Sequence, residues 1–236
     1  MLSARGLMRT GAMAAWLAAA LTLIWLAVLL ALPAMPENAT LEEEMFFIAE
    51  HETAYAILYG GIFLLALAQL PFFLALTALN YRRWGGSALI WGIAGLLYVA
   101  FSLPAYWSQL TVVRGLTDLF VNAEDATLRT SALTAYLTWS YSGRLAAYPY
   151  AIDFLGYLLY SLALFGFGVM LVRERGVDLV SGGLLILSAL SGLAGVSGYL
   201  TRIPLLEDGV VMSGAFLMPA FFTLAYRFWR EARLGW

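Results

Sequence analysis

The chain has 236 residues, 62% of them hydrophobic and 12% charged, with a formal net charge of −2 at neutral pH. Soluble domains carry about twice that charged fraction, and a near-neutral chain of this kind has no nucleic-acid signature. There is no cysteine, all 13 basic residues are Arg, and His51 is the single histidine; these counts exclude disulfides, thiolate-bound metals, lysine Schiff bases, a P-loop lysine and any paired-histidine haem or zinc site within the chain.

Crossing a bilayer takes about 20 helical residues, and apolar runs of that length recur. They predict an all-α integral membrane bundle of six transmembrane helices, one domain over residues 1–236. The first span is expected over about 12–32, behind Arg5 and Arg9. It is longer than a signal-peptide core of about 7–15 residues. A loop of about twenty residues follows from Pro33, and in it Asn38-Ala39-Thr40 matches a glycosylation acceptor, a weak three-residue signal. Spans two and three are expected over about 53–79 and 87–113, joined by the short basic turn NYRRWGGS.

A longer loop runs from Arg114 to Tyr150. A helix starting at Asp125 would place Leu128, Ala132, Ala135, Tyr136 and Trp139 on one face. Such a helix lies on the membrane surface or packs over the mouth of the bundle. The last three spans are expected over about 151–172, 179–200 and 209–226. Pro71, Pro104 and Pro219 fall inside spans, where a missing amide donor predicts kinks.

Arginine sets the expected orientation. Arg5, Arg9, Arg82, Arg83, Arg173, Arg175, Arg227, Arg230 and Arg233 fall on one side, against Arg114, Arg129, Arg144 and Arg202 on the other. The positive-inside rule then places both termini in the cytoplasm, and the inner (plasma) membrane is the expected location. Aromatic residues flank the expected boundaries: Tyr81, Trp84, Phe228 and Trp229 inside, and Tyr106, Trp107, Tyr148, Tyr150 and Tyr199 outside. Amphipathic rings favour the headgroup layer.

Spans two and four share a pattern, YAILYGGIFLLALA from Tyr55 and YAIDFLGYLLYSLA from Tyr150. Both would cross in the same direction, as parallel repeats do. Span five carries Gly182, Gly183, Ser191, Gly192, Gly195 and Gly198. Small residues at this spacing let helix backbones approach closely in lipid.

Candidate chemistry gathers toward the outside. Asp153 stands within a span, where an ionisable residue is costly enough to raise a functional hypothesis. Its place near a helix start behind Pro149, and a partner arginine, Arg144 or Arg202, are the structural alternative. Arg114, His51 and Glu50 complete the ligand or ion candidates, with Asp118 four residues from Arg114. No catalytic residue, metal site or cofactor is expected.

The stretches AEDATLRTSALTAYL, FLGYLLYSLALFGFGVMLVRERG and VSGGLLILSALSGLAGVSGYL lie within about 123–200. There the chain resembles an uncharacterised group of bacterial six-span membrane proteins known only as a domain of unknown function. The resemblance implies six helices and no known activity. The expected role is non-enzymatic: an accessory subunit of a membrane complex, or a binder of lipid or another apolar ligand. The partners are the lipid bilayer and other membrane subunits. The alternatives are a small transporter or channel subunit using Asp153 and the outer arginines and, last, an intramembrane enzyme.

Overall fold

A backbone crossing lipid must satisfy its own N–H and C=O groups, and helices do so within one segment. The computed structural model describes residues 3–33, 35 and 39–234, without the side chains of residues 143–145 and 204. In chain order the helices are α1 (Ala4–Ala31), α2 (Leu41–Glu50), α3 (Glu52–Trp84), α4 (Gly86–Ser108), α5 (Arg114–Asn122), α6 (Ala126–Trp139), α7 (Tyr148–Leu171), α8 (Val177–Thr201), α9 (Pro204–Glu207) and α10 (Gly209–Leu234). Among the described residues, six helices are long and apolar enough to cross a membrane, and α4 and α5 form one of them, Gly86–Asn122. The protein is an all-α, multi-pass membrane bundle.

The spans form a closed ring. α1 packs on α3, α3 on α4, α4 on α7, α7 on α8 and α8 on α10, and α10 returns to α1. At the end where α1 begins, the Arg5 Nε donates to the Ala232 carbonyl at 2.8 Å. Phenylalanine fills the ring centre in this half: Phe72, Phe73, Phe167, Phe221 and Phe228 are all fully buried. Phe72 meets Phe221 edge to face, with ring centroids 5.1 Å apart. Each such pair adds about 0.5–1.5 kcal/mol beyond its burial. Phe228 is thus a core residue, not the interfacial anchor expected.

Small residues bring α8 against both neighbours. A Cβ built on Gly182 would lie 2.6 Å from the Val172 backbone nitrogen, and one on Gly195 would lie 2.6 Å from the Val210 nitrogen. Gly183 differs: nothing lies within 4 Å of its would-be Cβ, so it serves no close contact. The two turns at the α1 end share one conformation. Gly85 has φ 49° and ψ −123°, and Gly176 has φ 67° and ψ −132°. A side chain would strain both. The turns thus match in backbone as spans two and four match in sequence.

The opposite end carries more than the loops expected. The first loop folds as α2. The Thr40 hydroxyl accepts from the Glu43 amide, and the Glu43 carboxylate accepts from the Thr40 amide at 2.7 Å, a reciprocal cap. Those bonds, the backbone one first, hold the Glu43 carboxyl below its usual range. Asn38 lies outside the described residues. The third span does not stop at 113. It widens into a π turn at Gln109–Val113 and continues as α5, so most of the second loop is helical. Asp125 caps α6 as expected, accepting from the Thr127 amide at 2.9 Å. Ala132 and Tyr136 of α6 pack with Met45, Ile48, Val113 and Phe120, while Leu128 stays exposed. α6 therefore sits over the bundle mouth.

Candidate functional site

The buried stripe of α7 reads Pro149, Asp153, Gly156, Tyr160, Ala163, Leu164 and Phe167. This three- and four-residue spacing is one helix face, and it faces into the ring. Asp153 is therefore an inward carboxylate, 6% exposed. Ser102 Oγ of α4 donates to its Oδ1, and the Tyr141 hydroxyl donates to its Oδ2, both at 2.9 Å. Gly156 lets α4 approach, since a Cβ there would stand 2.9 Å from Ser102 Oγ. Burial first, and the Asp153 charge second, push the Tyr141 hydroxyl well above the usual tyrosine range. It therefore donates as a neutral phenol.

The arginine partner expected for Asp153 is not there among the described residues. Arg202 ends α8 in the left-handed conformation, φ 59°, and is exposed; the side chain of Arg144 lies outside the described residues. Hydroxyls from α4 and the 141–146 turn occupy the carboxylate instead. Arg114 pairs with Glu52 rather than Asp118, because α3 lies beside the extended α4. His51 links α2 to α3, its Nδ1 3.0 Å from the Phe47 carbonyl. Glu50 is exposed at the end of α2. Of the five candidates whose side chains are described, Asp153 is the one that lines the chambers beneath α2 and α6.

Three adjoining chambers make up this pocket. The vestibule, about 630 Å³, is lined by Tyr55, Gln109, Tyr136, Glu44 and Glu207 under α2 and α6. Tyr59, Tyr141, Tyr150 and Tyr199 lie on its boundary with a middle chamber of about 230 Å³ that holds Asp153, Tyr106 and Phe154. Trp25, Ile62, Tyr157 and Val210 separate the middle chamber from a floor of about 60 Å³, where Gln69, Tyr98 and Tyr160 lie. Gln69 is 1% exposed and its carboxamide oxygen has no partner among the described residues. It stands roughly 25 Å down α3 from Glu52, at 1.5 Å per residue, directly above Phe72 and Phe73 in sequence. The chambers end at this level, with the fully buried Phe72 and Phe73 about one turn further along α3.

Ten of the 13 tyrosines line these chambers. Tyr55, Tyr59, Tyr141, Tyr150 and Tyr199 form one run of ring contacts with Phe154, and Tyr98, Tyr157 and Tyr160 form a second. Tyr59 stacks on Tyr141 with centroids 6.0 Å apart, Tyr141 meets Tyr150 at 5.9 Å, and Tyr150 stacks on Phe154 at 5.1 Å. Gln109 braces the mouth, accepting from the Tyr55 hydroxyl at 3.1 Å and donating to the Trp139 carbonyl at 2.9 Å. Among the described residues, no Arg or His lines any chamber, and no three His, Asp or Glu side chains gather as a metal set.

Sequence reasoning assigned Tyr106, Tyr150 and Tyr199 to the outer headgroup belt, but they line the pocket. Trp107 and Tyr148, 55% and 52% exposed, do face outward. The seven-residue spacing of Tyr150 from Tyr157, on the helix that carries Asp153, was the available signal. No family model matches the chain, and no curated protein or solved structure matches it.

Proposed function

We propose that this membrane protein is a non-enzymatic binder of a small, partly apolar ligand, held in the tyrosine-lined pocket. The observation that carries this reading is the run of chambers that enters the ring beside α2 and α6 and ends at Gln69, whose buried carboxamide oxygen has no hydrogen-bond partner among the described residues. Ligand pockets join apolar and aromatic walls to a few fixed polar groups, and Asp153, Ser102, Tyr141, Gln109 and Gln69 are such groups here. The lipid-facing surface of the ring is apolar, with Leu64, Ile90, Leu158 and Leu187 exposed. It suits the bilayer, and it equally suits a neighbouring subunit if the chain serves a larger complex.

Asp153 in a spanning wall favours transport as a second reading, because intramembrane carboxylates mark ion and substrate paths. Transport requires the phenylalanine core below Gln69 to part during the cycle.

Filling the middle chamber tests the binding reading. Ile62→Trp is expected to leave thermal stability in mild detergent nearly unchanged. Organic extracts of the purified parent are expected to yield one small molecule near one per chain by mass spectrometry. The variant is expected to yield at most about a tenth of that, by the steric exclusion that makes such pockets selective. Equal extracts from both proteins would sink the reading.

The arginine bias, nine residues against four, supports cytoplasmic termini and a pocket open to the outside of the plasma membrane. Cysteines replacing the exposed residues Glu43 and Glu124 are expected to react with an impermeant thiol reagent on intact cells, and one replacing Arg83 is expected not to. The reverse pattern would invert the orientation.

A further inference from the structure

The geometry points to an organic cation as the ligand, a small amine with an aromatic or alkyl body, bound with its ammonium group between Asp153 and the tyrosine rings. This inference rests on the pocket reading above and names the ligand class that the pocket takes.

Charge decides first. Acidic groups line the pocket at two depths, Glu44 and Glu207 in the vestibule and Asp153 in the middle chamber, and no Arg or His answers them among the described lining residues. The ring faces between them carry the negative side of their quadrupoles. An anionic ligand would meet like charge at both depths. A neutral apolar ligand would strip water from Asp153 and return nothing to it. A bare Ca²⁺ or Mg²⁺ ion needs about six or more oxygen ligands, and the middle chamber offers one carboxylate, with no set of three metal-ligating side chains among the described residues.

An ammonium group meets each demand. A carboxylate has about four lone-pair sites, and Ser102 and Tyr141 occupy two, one on each oxygen. The Tyr106 hydroxyl also lies close to this carboxylate, so at least one site remains for an N–H donor, in an orientation those hydroxyls fix. Tyr59, Tyr106, Tyr157 and Phe154 supply rings around the same carboxylate. Rings enclosing a cation are the recognition mode for quaternary and protonated amines. The ligand body then extends past Ile62 toward the floor, where the Gln69 carboxamide and the Tyr160 hydroxyl lie together.

Isothermal titration of the full-length protein in maltoside micelles tests this with three near-isosteric probes: phenethylamine, 2-phenylethanol and 3-phenylpropionate. Phenethylamine is expected to bind the parent at least about tenfold tighter than the alcohol, and the carboxylate is expected not to bind. Asp153→Asn is expected to bring amine and alcohol within about threefold of each other, and a melting temperature equal to the parent's shows the variant folded. Ile62→Trp is expected to abolish both. Equal affinities for amine and alcohol in the parent, both lost in Ile62→Trp, would overturn the cation inference and leave the pocket reading standing. No binding of any probe, or binding that survives Ile62→Trp, would overturn both.

Amine chemistry has two sources, a soluble molecule and a lipid headgroup. Repeating the titration in nanodiscs separates them. Phenethylamine binding that is lost in phosphatidylethanolamine discs and kept in phosphatidylglycerol discs assigns the cation to the headgroup. Equal binding in both assigns it to a soluble amine.

Discussion

Gly182→Leu is expected to destabilise the bundle by at least about 3 kcal/mol, and Gly183→Leu, one position along, by essentially nothing. At 182 a Cβ would lie 2.6 Å from the Val172 nitrogen and 2.8 Å from the Gly168 carbonyl oxygen. Those are backbone atoms of α7 and the residue that ends it, so no rotamer change relieves the contact. Helix association in lipid depends on packing rather than on expulsion of water, and separating α7 from α8 removes that packing along a whole interface. Position 183 opens on empty space, and Leu has the higher helix propensity by roughly 0.8 kcal/mol. Thermal unfolding in detergent, read by loss of monodisperse protein, checks both. Equal melting temperatures for the two variants would remove the close α7–α8 contact from this account.

Arg227→Met is expected to cost about 3 kcal/mol, the usual order for breaking a buried ion pair from one side. The Arg227 Nε donates to both oxygens of Asp178, at 2.8 and 3.0 Å, and Asp178 is 7% exposed at the start of α8. Glu231 pairs with the same guanidinium. Without it, two carboxylates face each other at the edge of the bilayer. Adding Asp178→Asn to Arg227→Met is expected to recover much of the loss, because the two residues share one interaction. Arg230→Met, at an exposed position on the same helix, is expected to stay within about 0.5 kcal/mol of the parent. A loss as large at 230 would mean that general positive charge, and not the Asp178 contact, carries the effect. Arg227 thus has a packing role that the orientation argument alone did not require.

Hydropathy located the spans because lipid demands long apolar helices, and it misplaced ends because a helix does not stop where its side chains become polar. α3 runs to Trp84, α10 to Leu234, and α4 continues through the π turn into α5. Each goes on past the expected boundary because backbone bonding is indifferent to charge. α2 was readable in Thr40-Leu41-Glu42-Glu43, a capping box, within the stretch expected as a loop of about twenty residues. Asp153 stood out in the sequence as a carboxylate among apolar residues. Its partners did not, because charge matching suggests arginine, while the donors found are neutral hydroxyls about 50 residues upstream and 12 upstream. The tyrosines were misread for a related reason. A tyrosine near a helix end suits the headgroup layer and an inward pocket equally, and only its helix face decides which.

The closed ring also fixes the order in which the polar wall becomes sheltered. Trp25 of α1 and Val210 of α10 meet at the same pocket, yet they lie furthest apart in the order of these six spans. Five of the six helix contacts join consecutive spans and can form while synthesis proceeds; the α1–α10 contact waits until α10 is made. A nascent chain paused after α8 is an open horseshoe, with Gln69 and Asp153 on its inner edge. Polar groups facing hydrocarbon are costly, so the incomplete intermediate, rather than the finished fold, is the state most exposed to membrane quality-control proteases. Substitutions that slow the arrival of α10 would then lower the amount of protein in the membrane without altering the stability of the molecules that mature.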